Sequence, residues 1–177
     1  MLKKIGLGLL VVLIVIQFFQ PKKNIAAERT ANHIALTYQV PEDVQVILVK
    51  ACYDCHSDNT RYPWYNRVQP VAWWLAHHID EGKAELNFSQ FGSYPKKKQR
   101  HKLEEVTEMV KDSHMPLSSY TWIHTDAKLT PEERTVLTNW ADGLRASTLL
   151  ARWRKYRANL APGRVGRAGC PGQRTVL

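Results

Sequence analysis

Residues 41–56 read Pro-Glu-Asp-Val-Gln-Val-Ile-Leu-Val-Lys-Ala-Cys-Tyr-Asp-Cys-His. Proline suits a first helical turn, and Glu42 and Asp43 complement the positive end of the helix dipole. Val44, Ile47, Leu48 and Ala51 then follow at i, i+3, i+4 and i+7, one apolar stripe of a helix. The stripe ends at Cys52-Tyr53-Asp54-Cys55-His56, the C-x-x-C-H pattern of covalent haem attachment. Two thiols three positions apart on a helical turn can each add to a vinyl group of one porphyrin, forming thioethers. His56 is then placed to offer an imidazole nitrogen to the iron. The expectation is one covalent haem c held by Cys52 and Cys55, with His56 as an axial ligand.

C-x-x-C alone is weaker. A thiol–disulfide redox pair would sit between a strand and a helix, whereas a helix leads into Cys52. A zinc site needs two further ligands, usually a second closely spaced pair, and none is obvious. The third cysteine, Cys170, is alone, so there is no disulfide framework.

Helical periodicity continues on both sides of an aromatic loop, Asn59 to Tyr65. A second helix is expected from Val71 to about Leu86, carrying Trp73, Trp74, Leu75, His78 and Ile79. A third runs from about Lys97 to Lys111, with Leu103, Val106, Met109 and Val110 inward. A loop from Ser113 to Thr125 precedes the last helix. Thr130, Pro131 and Glu133 form its start signal, a capping box with proline in the first turn. Val136, Leu137, Trp140, Ala141 and Leu144 make its stripe. No period-2 strands and no internal repeat occur, so the fold class is all-α.

The second axial ligand is sought among Met109, Met115 and the histidines at 33, 77, 78, 101, 114 and 124. Met115 is preferred, since it follows a helix and Pro116 restricts the backbone beside it. A thioether is a weak ligand that its surroundings must hold, and methionine opposite histidine raises the reduction potential. Met109 falls on a helix stripe and reads as core. One of His77 and His78, or His114, is the competing ligand. Trp64, Trp73, Trp74 and Trp140 are expected to wall the haem crevice and to join the first and last helices. Arg61 is expected either to pair with a haem propionate or to be solvated. The Lys96-Lys97-Lys98 run reads as a solvated helix start or as a docking patch for an acidic redox partner.

The chain of 177 residues carries a net charge of +9, which dissolves when divided by region. Lys3, Lys4, Lys22 and Lys23 flank an apolar run from Ile5 to Phe19, and seven basic residues with no acid follow Ser147. Residues 24–146 are left at −2, so no nucleic-acid partner is expected. The apolar run is short for a span of ~20 residues. Gln20-Pro21-Lys22-Lys23 offers no small-residue cleavage site and Ala26-Ala27 lies beyond a charged pair, so a cleavable secretory signal is the competing reading. The run is read as an uncleaved membrane anchor. Because covalent haem attachment takes place outside the cytoplasm, residues from 24 onward are expected in the periplasm.

The expected organisation is an anchor over 1–23, a linker over 24–40, the haem domain over 41–146 and a basic, disordered tail over 147–177. Leu149 to Leu160 is open to extending the last helix. The stretch beyond is rich in Pro, Gly and Arg, with no apolar face to offset its ordering entropy.

Residues 41 to 143 resemble a family of haem-binding domains found in short, membrane-anchored monohaem proteins, Bacteroidetes-type. The matching stretches are Cys52-Tyr-Asp-Cys-His-Ser-Asp-Asn-Thr-Arg-Tyr-Pro-Trp-Tyr, Pro70-Val-Ala-Trp-Trp-Leu-Ala-His-His-Ile, and His114-Met-Pro-Leu with Tyr120-Thr. Leu129-Thr-Pro-Glu-Glu-Arg, leading to Asn139-Trp140, completes them. The resemblance implies a cytochrome c-like fold with ligation by His56 and Met115. The family commonly has an acid before its Met-Pro where this chain has His114. The functional expectation is an electron carrier rather than an enzyme, served by redox partner proteins at the cytoplasmic membrane. A haem-based gas sensor or a small peroxidase with an open distal site is the alternative.

Overall fold

The computed structural model describes residues 1–27 and 29–160, with the side chains of residues 151–160 left aside. It is all-helical; the one β feature among the described residues is an isolated antiparallel bridge between Ile25 and Asn59. In chain order the helices are α1 (Leu2–Ile16), α2 (Ile34–Thr37), α3 (Glu42–Ala51), α4 (Tyr53–His56), α5 (Val71–Glu85), α6 (Lys96–Lys111), α7 (Ser118–Ile123) and α8 (Pro131–Leu160). Short 3-10 turns over Trp64–Arg67, Phe91–Ser93 and Thr125–Ala127 join them.

The expected stripes define the core. Val44, Ile47 and Leu48 of α3, Leu103 and Val110 of α6, and Leu137 and Ala141 of α8 are buried together. The helix α8 packs against both α6 and α3, most extensively against α6. Its start is held as the capping box requires: the Glu133 N–H donates to Thr130 Oγ1 at 3.2 Å, and the Thr130 N–H donates to Glu133 Oε2 at 2.9 Å. Glu133 also meets Lys50 Nζ at 2.5 Å, so one carboxylate caps α8 and ties it to α3.

Several expectations change. The stretch 24–40 is not a free tether. Asn24 donates from Nδ2 to the Ser57 carbonyl and to Thr60 Oγ1, and accepts from Lys83 Nζ. His33 and Ile34 are fully inside the core. Such attachment runs mainly through polar groups, which leaves little apolar periodicity to read. The loop 113–125 contains α7, whose six residues are too few to display a stripe. The last helix passes the 146/147 boundary and continues to Leu160, the extension that the sequence left open for Leu149 to Leu160. Residues 161–177, with Cys170, lie outside the described residues.

The helix α1 is 15 residues long and buries none of them. Among the described residues no helix is long and apolar enough to cross a membrane, so the expected membrane helix forms as a shorter element. Its end is stitched to the domain. Gln17 Oε1 accepts from the Gln69 N–H at 2.9 Å, and the Phe19 carbonyl accepts from Gln69 Nε2 and Trp73 Nε1 at 2.7 and 2.9 Å.

Candidate functional site

The helix α3 ends one residue before the motif, and Cys52 forms the joint between α3 and α4 with φ −125° and ψ −45°. The chain restarts at once: the N–H groups of Cys55 and His56 both donate to the Cys52 carbonyl, at 3.2 and 2.9 Å. The motif therefore sits on a tight helical turn at the buried end of α3. Close against it runs α5, where Gly82 faces the turn. A Cβ on Gly82 would stand 2.7 Å from the Cys55 carbonyl oxygen and 3.1 Å from the Cys55 Cβ, so only glycine admits this approach.

His56 is fixed from two directions. Its Nδ1 lies 3.0 Å from the Leu86 carbonyl oxygen, and its own carbonyl accepts from the Phe88 N–H at 2.8 Å. With Nδ1–H donating to Leu86, the tautomer leaves Nε2 as the free lone pair, the arrangement of a metal-ligating imidazole. Burial holds the His56 pKa below its ordinary value, against the upward pull of the Leu86 and Gly82 carbonyls. The ring stays neutral and available as a donor.

Two adjacent cavities both have His56 in their lining. The first, about 290 Å³, lies among α3, α6 and α8 and is lined mainly by Cys52, Leu86, Phe88, Val106, Met109 and Leu137. The second, about 510 Å³, lies among α4, α5 and α7 and is lined mainly by Cys55, His78, Gly82, Leu117 and Tyr120. Ala51, His56, Glu85, Met115 and Pro116 line both. The two thiols thus address neighbouring compartments of one cleft, with His56 and Met115 at their shared boundary.

Met115 is set by the end of α6. Ser113 has φ 61°, its N–H donates to the Val110 carbonyl at 3.3 Å, and the His114 N–H donates to the Met109 carbonyl at 2.9 Å. These are the two bonds of a Schellman ending. The Met115 N–H shares the Met109 carbonyl at 3.0 Å. The chain is turned so that Met115 enters the cleft while His114 stays exposed outside it.

The other candidate ligands separate cleanly. His33 is buried in the core, where Nδ1 accepts from the Ala35 N–H at 3.1 Å. His77 and His101 are exposed and meet Glu81 and Glu105 at 3.2 and 3.1 Å. His124 Nε2 lies 2.7 Å from the Tyr65 hydroxyl, and its ring stacks on Tyr120. Among the described histidines other than His56, His78 alone joins Met115 in the cleft, with its Nδ1 2.9 Å from the Trp74 carbonyl. Met109, expected in the core, is 42 % exposed and lines the first cavity.

Two expectations about the cleft are corrected. Trp64 is 82 % exposed, and neither it nor Trp73, Trp74 or Trp140 lines either cavity; aliphatic side chains and Phe88 form the walls instead. Trp140 packs on the core, as expected of a contact in the last helix. Arg61 does not line the cleft either. It is engaged by Asp54 through Nε to Oδ1 at 3.1 Å and Nη2 to Oδ2 at 3.0 Å. The cation that does line the cleft is Lys102, which meets Glu105 at 2.7 Å and Glu85 at 3.1 Å. The Lys96–Lys98 run is exposed, yet Lys96 bonds the Tyr38 hydroxyl at 2.7 Å and Lys98 lies 4.2 Å above the Tyr94 ring.

The residues missed in the sequence are Gly82, Asp54 and Tyr120. Asp54 has a buried side chain that also accepts the Tyr120 hydroxyl at 2.7 Å. Burial first, and then the Asp54 carboxylate, pushes the Tyr120 phenol far above its ordinary pKa, so this hydroxyl remains a donor. The only hint of either was their place inside the stretches Cys52–Tyr65 and His114–Thr121.

The thiols themselves argue against dithiol redox chemistry. Burial pushes Cys52 up to about 12, with Cys55 adding to it, and pushes Cys55 up to about 11, with Asp54 adding to it. A thiol–disulfide catalyst lowers these values. Among the described residues no group of three or more His, Cys, Asp or Glu side chains is placed to hold a metal ion, so the zinc reading has no ligand set there. The remaining donors, the imidazoles of His56 and His78 and the thioethers of Met109 and Met115 around an apolar cleft, suit a metalloporphyrin.

A family model described as a haem-binding domain matches residues 11–143. No curated protein and no solved structure matches the chain.

Proposed function

The chain belongs to the haem-binding domain family, and on that premise we propose that it is a c-type cytochrome carrying one covalent haem for electron transfer. The observation that carries this reading is the division of the cleft: Cys52 lines one cavity, Cys55 the other, and His56 and Met115 both. A porphyrin spanning the two compartments would be tethered at both thiols and bracketed by nitrogen and sulfur donors. A bound haem iron supplies one-electron chemistry by cycling between ferric and ferrous states.

The chain's own residues provide the rest. The Leu86 carbonyl holds the His56 tautomer, the α6 ending presents Met115, and the aliphatic walls exclude water. An apolar cleft favours the less charged, ferrous state. The fold proposed for this assembly is cytochrome c-like, with the first and last domain helices, α3 and α8, in contact. Electrons would pass to and from redox partner proteins, without substrate turnover.

Thioether attachment places the domain outside the cytoplasm, and α1 is the segment proposed to hold it at the cytoplasmic membrane. Fifteen residues reach about 22 Å at 1.5 Å per residue, so such an anchor requires local thinning of the bilayer. The uncovered apolar surface of α1 supports this reading.

A second reading, a haem-based gas sensor or small peroxidase, is favoured by one observation: His78 lines the same cavity as Met115. With Met115 off the iron, His78 would be the distal acid–base group.

The test is retention of haem through denaturation. Protein produced with c-type maturation should carry one haem per chain after unfolding in acid. Cys52→Ala/Cys55→Ala together should release it. Loss of haem from the unaltered chain on unfolding would refute covalent attachment.

A further inference from the structure

Asp54 stands inside the attachment motif, and four donors converge on its carboxylate. Oδ1 accepts from the Arg61 backbone N–H at 3.0 Å and from Arg61 Nε at 3.1 Å; Oδ2 accepts from Arg61 Nη2 at 3.0 Å and from the Tyr120 hydroxyl at 2.7 Å. Its side chain is 10 % exposed, against 57 % for Arg61. Arg61 therefore orients the carboxylate from the solvent side, and Tyr120 reads it from the cleft.

Tyr120 belongs to α7, five residues after Met115, and lines the cavity that Met115 and Cys55 also line. The helix α7 buries none of its residues, so apolar packing does little to keep this segment in place. Its polar fastenings are few. Upstream, the Met109 carbonyl holds the His114 and Met115 N–H groups. Downstream, the Tyr120 ring stacks on His124 at 4.4 Å, and His124 meets the Tyr65 hydroxyl. Among the described residues, the Tyr120–Asp54 bond is the one that joins this segment to the motif turn itself.

We propose that Tyr120 is a positioning residue for the distal ligand: its hydrogen bond to Asp54 clasps the Met115–α7 segment against the motif turn and keeps the thioether on the iron side of the cleft. This rests on the reading of Met115 as distal ligand. The physical reason is the weakness of a neutral thioether, which stays bound only where the chain holds it. A hydrogen bond to a charged acceptor is stronger than a neutral one, and burial shields this one from competing water.

The experiment uses the haem-loaded full chain and the variant Tyr120→Phe, which keeps the ring and its stacking but removes the donor. Two readouts are followed: the weak red-region charge-transfer band of methionine-ligated ferric haem, and carbon monoxide uptake by the ferrous form. The thermal midpoint is measured beside them. Tyr120→Phe should weaken the band and speed carbon monoxide uptake roughly tenfold or more, the size expected for losing one hydrogen bond to a charged acceptor. Arg61→Gln, which loosens Asp54 from the other side, should move uptake in the same direction by less. A lowered thermal midpoint with unchanged band and uptake would make Tyr120 merely structural and overturn the proposal. Met115→Ala run in parallel separates the two ideas. If it opens the iron while Tyr120→Phe and Arg61→Gln do not, the clasp alone fails. If it changes nothing, the distal-ligand reading fails and the clasp with it.

Discussion

Nδ1 of His56 lies 3.0 Å from the carbonyl oxygen of Leu86, thirty residues downstream. That carbonyl is itself placed by α5, because the Leu86 N–H donates to the Gly82 carbonyl at 2.9 Å and Gly82 packs on the Cys55 backbone. One glycine thus governs both the distance between α5 and the motif and the direction of the bond that orients His56. In an ordinary helix interior Gly→Ala stabilises by about 1 kcal/mol. Here Gly82→Ala should destabilise by about 1–3 kcal/mol, the usual cost of forcing atoms into a packed contact. Chemical denaturation of the two proteins checks the sign, and a lower yield of covalent haem should accompany it.

Met115 and His78 share the second cavity, and the two give opposite outcomes on replacement. Met115→Ala should lower the reduction potential and let the ferrous protein bind carbon monoxide, since a methionine ligand raises the potential of a histidine-ligated haem. His78→Ala should leave potential and spectrum close to the unaltered values. Redox titration of both variants decides the matter, and a reversed pattern would put His78 on the iron.

His33, which packs edge-on against Tyr53 of the motif at 5.4 Å but does not line the cleft, provides a pH test. Burial first, and then the charge of Arg29, holds its pKa below the ordinary value of 6.5, and its Nδ1 must stay unprotonated to accept from Ala35. The unfolded chain binds a proton near pH 6.5 while the folded one resists it. Stability is therefore full above pH 6.5 and is lost as pH falls from there through the folded value. Thermal midpoints between pH 7.5 and roughly pH 5 should fall more steeply for the unaltered protein than for His33→Asn, which can still accept from the backbone. Equal slopes would remove His33 as the cause.

Ser113 ends α6 in the left-handed region, φ 61°, where glycine carries no Cβ penalty. Ser113→Gly should stabilise the protein by about 0.5–1 kcal/mol, relief of the side-chain clash being partly offset by the freer unfolded chain. Ser113→Val should destabilise it and, by shifting the turn, weaken Met115 ligation. Denaturant midpoints and the methionine charge-transfer band check the two halves separately.

Local signals were legible in the sequence. The stripes of α3, α6 and α8 predicted which faces are buried, apart from Met109 at the exposed edge of α6, and Thr130 with Glu133 predicted the start of α8 to the residue. The motif and Met115 were picked out by their neighbours in the chain, and the structure brings them to the lining of one cleft; their roles there belong to the proposal. Contacts that only folding creates were not. Asp54 and Tyr120 are 66 residues apart, and nothing in the periodicity of α5 marks Gly82 as the residue that meets Cys55. Aromatic content misled: Trp64, Trp73 and Trp74 suggested a crevice wall, yet they stand at the surface while Leu86, Val106 and Leu137 line the cleft. Arg61 was noticed for its charge, but the nearest carboxylate to satisfy it was Asp54, already inside the motif.

The most direct test of the account is the visible spectrum of the reduced, haem-loaded protein before and after addition of carbon monoxide. With His56 and Met115 both on the iron, the spectrum is low-spin and carbon monoxide barely changes it. Immediate, complete carbon monoxide binding by the unaltered protein would show an open distal position and contradict the electron-carrier reading.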